Sequence, residues 1–253
     1  MVLGTLGVIV ALGFVSHRTE RTTVKEIAVS LSEADGMHFI DENAVREHIL
    51  AHDNAVIGSA VGDIDIVAME QELRNVPCVA DANVYHSIDG VLHVKVTERE
   101  PIVRVINTDG SGFYIDRQGW TMPLSDHYTA RVPVVTGMLF EPFATSAPTD
   151  LLHTSDSLRQ AMRSDEILHV MRTLTADPFW NALIDQAVVD MNGDFELIPR
   201  IGGQRIRIGN GNALDERLAK VRAFYDQGIP QTDWRRYGII DARFAGQVVC
   251  TKR

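Results

Sequence analysis

The stretch VADANVYHSIDGVLHVKVTEREPIVRV, residues 79–105, decides the fold of this chain. Apolar and polar residues alternate on both sides of Asp89-Gly90, a pair that favours a tight turn between antiparallel strands. The pattern therefore predicts a hairpin. Pro101 follows it and has no N–H group for a sheet ladder, so we expect one sheet to end here. The same position is therefore predicted to be the seam between two small domains.

The residues before this hairpin predict one strand and two helices. Residues 24–31 alternate as a strand does, and Asp41 has the chemistry of a helix N-cap before the apolar stripe of Val45 and Ile49. Asp63 or Asp65 is predicted to cap a second helix that stops before residue 77. Residues 22–98 thus read β-α-α-β-β, an α+β module with two helices on a three-stranded sheet.

Residues 99–253 predict a mixed α/β domain in which most strands are antiparallel. Ser164 is placed to cap one helix that Asp177-Pro178 ends, and Asn212 to cap the last helix. Two-residue Asn-Gly and Gly-Gly turns favour hairpins between the later strands. The predicted strands cover residues 102–106, 113–115, 120–124, 132–135, 187–191, 195–201, 204–208, 237–244 and 247–251. Residues 139–148 are predicted to form a loop.

The first residues are strongly apolar. Residues 1–15 carry no charge, and Arg18 follows them. Fifteen residues are fewer than the about 20 that a membrane-spanning helix needs, and a secretory signal would begin with a basic segment. We interpret residues 1–16 as a membrane anchor whose true start lies upstream. A buried helix of a soluble domain is the alternative.

Composition and motifs argue against several classes of protein. The net charge of −10 is unlike that of a nucleic-acid-binding domain, and two cysteines, Cys78 and Cys250, do not make a disulfide scaffold. Whether they pair stays open, and two separate buried thiols are the preferred interpretation. His48 and His52 have metal-ligand spacing on a helix but no third ligand nearby in sequence. We expect no catalytic residue, cofactor or metal.

A glycine-rich segment, Gly209-Asn210-Gly211, lies between a predicted strand and a predicted helix, as a phosphate-binding loop does. It lacks the further glycine of such a loop, and the neighbouring strands are predicted hairpins. A plain loop before a helix is therefore the preferred interpretation.

The first module resembles the POTRA domain, and the whole chain resembles the FtsQ/DivIB family of bacterial cell-division proteins, in particular its Bacteroidetes members. The most specific pieces are TEREPI at residues 97–102 and FYIDRQG at 113–119, and IDARF at 240–244 and Lys220 are similar to family positions. Ala242 departs from the family, which has a larger apolar residue there. Residues 140–156 have no counterpart that we can place.

The resemblance implies a non-enzymatic scaffold. It implies one membrane span in the inner membrane, a cytoplasmic N-terminus, a periplasmic bulk and a place at the division septum. It also implies that the partner FtsB, in complex with FtsL, adds a strand to the C-terminal edge of the chain. The partner-binding residues are then Phe244, Gly246, Gln247, Val248, Val249 and Cys250.

Alternatives remain at this edge and for the protein as a whole. Val248 and Cys250 could simply fill the core while Val249 is a lone exposed side chain. The hairpin of the first module offers a second edge for recruiting division proteins. A POTRA-containing component of outer-membrane protein assembly or secretion is the second candidate function, and a periplasmic enzyme with an unrecognised site is the third.

Overall fold

A computed structural model describes residues 22–32, 39–52, 55–144, 147–155, 162–228 and 234–253. The predicted anchor, residues 1–16, lies outside these ranges. Within them, no helix is both long enough and apolar enough to cross a membrane. The chain divides between Arg99 and Glu100 into two compact units.

The first unit has the predicted β-α-α-β-β order. Its sheet has the strand order β1-β3-β2, in which β3 pairs in parallel with β1 and antiparallel with β2. The alternating residues of the hairpin place Val84, Leu92 and Val94 in the core. The elements are β1 (Glu26–Ser32), α1 (Glu42–His52), α2 (Ile66–Asn75), β2 (Val79–His86) and β3 (Val91–Glu98).

The two helices described in the first unit, α1 and α2, begin at aspartate caps. A carboxylate oxygen of Asp41 accepts a hydrogen bond from the Ala44 N–H at 2.7 Å, and Asp65 accepts one from the Ala68 N–H at 2.9 Å. Asp63 lies in a short 3₁₀ turn instead. The cap at Asp41 is confirmed, and Asp65 is the second cap.

A buried carboxylate also holds the chain that enters α1. Glu98, at the end of β3, is 3% exposed, and its Oε1 accepts hydrogen bonds from the N–H groups of Phe39 at 2.8 Å and Ile40 at 3.0 Å. Charge-assisted bonds of this kind are stronger than neutral ones. The last residue of the hairpin therefore fixes where the first helix starts.

The second unit is built on one long sheet. In the described residues it has nine strands in the order β12-β11-β10-β9-β8-β7-β4-β5-β6. Three of its pairings are parallel and five are antiparallel, so the predicted mixed, mostly antiparallel domain is confirmed. The strands are β4 (Pro101–Ile106), β5 (Gly112–Asp116), β6 (Thr121–Pro123), β7 (Val134–Gly137), β8 (Ile184–Val189), β9 (Phe195–Pro199), β10 (Arg205–Gly209), β11 (Tyr237–Asp241) and β12 (Val249–Lys252).

In the part of the second unit that the structure describes, three α-helices accompany the sheet: α3 (Ser164–Ala176), α4 (Pro178–Leu183) and α5 (Leu214–Ala223). Their apolar residues join those of the sheet in one core, for example Met171, Trp180 and Leu218. The sequence pattern does not predict α4, because Asp177-Pro178 indicates only the end of α3. Proline also suits the first position of a helix, and Asp177 caps α4 by accepting from the Phe179 N–H at 2.7 Å.

Two predicted caps are wrong. Ser164 is the first residue of α3, and its hydroxyl donates a hydrogen bond to Glu141 instead of capping the helix. The other oxygen of Glu141 accepts from the Arg163 N–H at 2.8 Å. Asn212 does not cap α5 either: the cap position is Ala213, whose φ of 51° is left-handed and which makes no side-chain cap bond.

Glu141 thus replaces the serine cap from a distant part of the chain, and it is 5% exposed. We expect Glu141→Ala to lower the free energy of unfolding by about 2–3 kcal/mol, because hydrogen bonds to a charged group are lost and buried donors are left without their acceptor. Urea unfolding followed by circular dichroism measures this loss.

The matched control is Glu166→Ala. Glu166 lies in the first turn of the same helix and pairs with Arg163 at 2.8 Å, but its side chain is 43% exposed. Exposed pairs contribute little, so a change within about 0.5 kcal/mol is expected. Equal losses in the two variants would contradict the capping role of Glu141.

Candidate partner-binding edge

The two edges of the long sheet differ. At the β6 edge, the Thr121 N–H donates to the Thr149 carbonyl at 2.9 Å, the Thr149 N–H donates to Thr121 Oγ1 at 3.0 Å, and Pro123 has no N–H group. This edge is therefore covered. In the described ranges no strand pairs with the outer side of β12, at the other edge. Such an edge is a template for an added strand.

The edge of the first unit's hairpin is closed by side chains of α2. Glu70 accepts a hydrogen bond from the Val84 N–H at 2.8 Å, and Arg74 donates one to the Ala82 carbonyl at 2.8 Å. Arg74 also bonds Asp81 at 3.0 Å. A strand added to β2 would have to displace both side chains, so this second predicted edge is not ready to accept one.

The structure places the predicted site residues in and before β12. The strand begins at Val249, two residues later than predicted, because the chain turns at Gly246, whose φ is 67°. Val249 and Cys250 lie in the strand, and Gln247 and Val248 directly precede it. Phe244 and Gly246 lie in the connection from β11, which ends at Asp241, three residues earlier than predicted.

Side chains of β12 alternate between the core and solvent. Val248 and Cys250 are half-buried and pack against the apolar core, whereas Val249 is 40% exposed. The alternative interpretation of these three side chains therefore describes their packing correctly. This packing of side chains does not close the edge, because strand addition uses backbone hydrogen bonds.

The backbone of β12 offers donors on its outer side. The Arg253 N–H donates to the Arg236 carbonyl at 2.9 Å, and Val249 pairs with Asp241. N–H groups of alternate residues in an antiparallel ladder point to the same side. Thr251 and Val249 therefore direct their N–H groups to β11. Those of Cys250 and Lys252 point away from it.

A lysine holds the connection that leads into β12. Lys220 on α5 donates a hydrogen bond from Nζ to the Phe244 carbonyl at 2.6 Å, while the Phe244 side chain is 46% exposed. A segment that is already ordered loses less conformational entropy when a partner binds. The contact therefore preorganises the region in which the six predicted residues lie.

Charged side chains line a cavity of about 430 Å³ beside this region. Arg243 bonds Asp241 at 2.7 Å and Asp194 at 2.9 Å, and these carboxylates raise the pKa of the guanidinium. Burial raises the pKa of Asp241, but hydrogen bonds from Arg243 outweigh burial and hold that pKa below its ordinary value. The Arg243–Asp241 pair therefore stays ionised at neutral pH and is suited to polar groups of a partner.

Sequence reasoning marked residues 240–244 but missed the role of Asp194, which lies 49 positions from Arg243. Glu196 extends the cluster by pairing with Arg205 at 2.8 Å and Arg207 at 3.1 Å. The alternation of Arg205 and Arg207 on β10 is the local signal of this pairing.

Other chemical features lead to no reactive site. His48 and His52 line a groove of about 300 Å³, but among the described residues no three or more His, Cys, Asp or Glu side chains are grouped to hold a metal ion. At the glycine-rich loop, the Arg217 guanidinium donates hydrogen bonds to the carbonyl oxygens of Ile208 at 2.6 Å and Asn210 at 2.8 Å. A phosphate loop presents N–H groups, so this loop has the opposite polarity.

Comparisons with known proteins agree with the two units. Residues 100–251 match the family model "FtsQ/DivIB, C-terminal related", and residues 22–97 match the model "POTRA-like domain". The cell division protein FtsQ of Salinibacter ruber is 29% identical over 179 residues, which are 66% of this chain and 61% of that protein. FtsQ of Rhodothermus marinus is 27% identical over 199 residues, 76% of this chain and 67% of that protein. The match to the Salinibacter protein thus spans less than two thirds of its length.

The two cysteines are expected to react at different rates. Burial, together with the charge of Glu98, raises the pKa of Cys78 to about 11, so at pH 8 only about one thiol in a thousand is the reactive thiolate. Burial also raises the pKa of Cys250, which lies at the open edge. We expect iodoacetamide to modify Cys250 first, as measured by mass spectrometry of peptides, with the Cys78 rate still rising towards pH 11. Faster modification of Cys78 would contradict this.

Lys220→Met is expected to loosen the connection before β12. Loss of the bond to the Phe244 carbonyl removes about 1 kcal/mol of local stability, so amide exchange in residues 244–250 should quicken about fivefold. Hydrogen–deuterium exchange with mass spectrometry measures this exchange rate. Lys252→Met is the control and should leave exchange in the connection unchanged. Equal exchange in both variants would show that Lys220 does not hold this segment.

Proposed function

We propose, because the chain belongs to the FtsQ/DivIB family of bacterial cell-division proteins, that it is a membrane-anchored, non-enzymatic scaffold of the division machinery. In this proposal residues 1–16 belong to a single membrane span, residues 22–98 form a POTRA-like domain and residues 99–253 form an FtsQ-type β-domain. The N-terminus is cytoplasmic, and the bulk of the chain is periplasmic, at the septum.

The proposed partner is FtsB in complex with FtsL, and the proposed mode is strand addition to β12. The observation that supports this mode most is that the outer side of β12 has no strand paired with it in the described part of the chain. The edges at β2 and β6, by contrast, are covered by hydrogen-bonded groups. The outward N–H groups of Cys250 and Lys252 would give affinity. The exposed side chains of Val249 and Thr251 would give specificity.

The charged cavity supports the same mode. A strand laid along β12 would pass close to the connection that carries Arg243 and Phe244. The exposed ring of Phe244 offers apolar area, and the ion cluster offers partners for polar side chains. By holding such a partner outside the membrane, the protein would link early division proteins to septal peptidoglycan synthesis.

A POTRA-like match alone would fit an outer-membrane assembly component equally well. The match over residues 100–251 supports division instead, because it covers more than half of the chain and belongs to a cell-division family.

Val249→Lys tests the outward side chain of β12. The full chain is titrated with a purified FtsB–FtsL periplasmic coiled coil, and binding is measured by calorimetry. A valine buried by a partner contributes about 1.5–3 kcal/mol, so we expect about 10- to 100-fold weaker binding. The control is Val67→Lys on α2, where the valine is 63% exposed, and binding should not change. Val248→Lys is a less clean test, because Val248 packs on the core.

Two proline variants test the backbone at the same edge. Cys250→Pro removes an outward N–H group and leaves the N–H groups that β12 directs to β11, so we expect a folded chain with at least about tenfold weaker binding. Thr251→Pro removes an inward N–H group and should disturb the hairpin itself. Undiminished binding by a folded Cys250→Pro variant would refute strand addition at this edge.

A further inference from the structure

The turn that joins β8 to β9, residues 190–194, supplies acids to the charged cavity and is named the β8–β9 turn. Within it, the Asp190 carboxylate accepts hydrogen bonds from the N–H groups of Asn192 at 2.7 Å and Asp194 at 3.0 Å. The last residue, Asp194, binds the guanidinium of Arg243 at 2.9 Å. The position of this turn therefore decides where Arg243 finds its second carboxylate.

Arg163, directly before α3, packs against the β8–β9 turn. Its Nη1 donates hydrogen bonds to Glu166 at 2.8 Å and to the Gly193 carbonyl at 3.4 Å. Gly193 has a left-handed φ of 83°, and a β-carbon at this position would collide with the Arg163 guanidinium. The guanidinium thus fills the space beside the glycine, and this contact limits movement of the turn towards α3.

The backbone that carries Arg163 is itself fixed. Its N–H donates to Glu141 at 2.8 Å, and Glu141 is 5% exposed. The Asn107 side chain, after β4, in turn holds the backbone of Glu141 with hydrogen bonds of 2.8 Å and 2.7 Å. With its backbone fixed, Arg163 has only side-chain rotamers to lose when it orders the turn.

Arg243 joins the β8–β9 turn to the edge at β12. Its guanidinium donates to Asp194 at 2.9 Å and to Asp241 at 2.7 Å. Asp241 is the last residue of β11 and pairs with Val249, the first residue of β12. A continuous series of contacts therefore runs from Arg163, through the turn, to the beginning of the edge strand.

We propose that Arg163 is a positioning residue for the edge at β12. By holding the β8–β9 turn it places Asp194, and Asp194 places Arg243 in the connection that leads to β12. The ordering of this connection is independent of the partner, whereas its benefit for binding rests on the proposed strand addition. Partly exposed ion pairs contribute little to global stability, so the effect is expected in local order.

Hydrogen–deuterium exchange of the full chain tests this ordering. We expect Arg163→Met to quicken exchange in residues 190–196 and 242–248 about threefold or more, without a change in the hairpin of the first unit. Arg163→Lys should restore most of the protection. One nitrogen of Arg163 makes both side-chain bonds, and a lysine ammonium has enough donors for the same two acceptors.

The matched control is Arg172→Met, on the same helix. Arg172 donates hydrogen bonds to the Arg117 carbonyl at 2.6 Å and 2.9 Å, so this variant also loses bonds from a guanidinium to a backbone carbonyl. Arg117 follows β5, which β4 and β7 separate from β8. Exchange in residues 242–248 should stay unchanged in this variant, and quickening equal to that of Arg163→Met would overturn the proposal.

A pair of glycine variants tests the same contact from the turn. Gly193 and Gly110 have φ values of 83° and 86°, and each N–H donates to the carbonyl three residues earlier at 3.0 Å. No atom of the described chain lies within 4 Å of a β-carbon placed at Gly110. Alanine is strained equally in both turns, but only Gly193→Ala displaces the Arg163 guanidinium. Only that variant should quicken exchange in residues 242–248.

A double variant shows whether Arg163 acts through Asp194. Asp194→Ala already removes the bond to Arg243, so adding Arg163→Met should change exchange in residues 242–248 little further. Additive effects of the two substitutions would overturn the proposal. Unchanged exchange of these residues in the single variant Arg163→Met would also overturn it.

Binding of the same purified coiled coil that tests the proposed function separates the two proposals. If the original chain binds it, we expect Arg163→Met to weaken binding about threefold to tenfold and Arg163→Lys to recover most of the affinity. Undiminished binding by Arg163→Met would overturn the role at the edge. If the original chain does not bind, the proposed function fails, and the exchange measurements still decide whether Arg163 orders the connection.

Discussion

A backbone N–H group that has left water needs an acceptor, and both units of this chain meet that need with side chains from distant positions. Glu98 accepts a hydrogen bond from the backbone that enters α1, and Glu141 accepts one from the backbone at the start of α3. On the outer side of β2, Glu70 likewise accepts from a backbone N–H group, and Arg74 donates to a backbone carbonyl. Each contact satisfies a polar group and also joins a helix to a sheet or loop. The long-range hydrogen bonds therefore determine how the elements are placed within each unit.

This reliance on distant partners explains which predictions from the sequence are correct. The hairpin around Asp89-Gly90 and the caps at Asp41 and Asp65 depend on neighbours within a few residues, and the structure has all of them. The predicted cap at Ser164 is wrong because Glu141, 23 positions away, occupies that role. Local patterns carry no information about such a residue.

The candidate edge shows the same division between local and distant information. Period-two alternation predicts that Val248 and Cys250 face one side of the strand and Val249 the other, and the burial of these residues agrees. Alternation cannot say whether another strand lies alongside, because pairing joins segments far apart in sequence. The open side of β12 and the contact between Arg243 and Asp194 become visible only in three dimensions.

An open edge has a consequence for the amount of protein that a cell can tolerate. A strand that accepts a partner's backbone also accepts a second copy of itself, which is the first step of edge-to-edge aggregation. β12 is only four residues long and ends at Lys252, and both features limit such growth. Under the proposed strand addition, dosage is therefore physically constrained: molecules in excess of the proposed partner would carry an unpaired strand, and balanced synthesis of the two proteins would keep that strand paired.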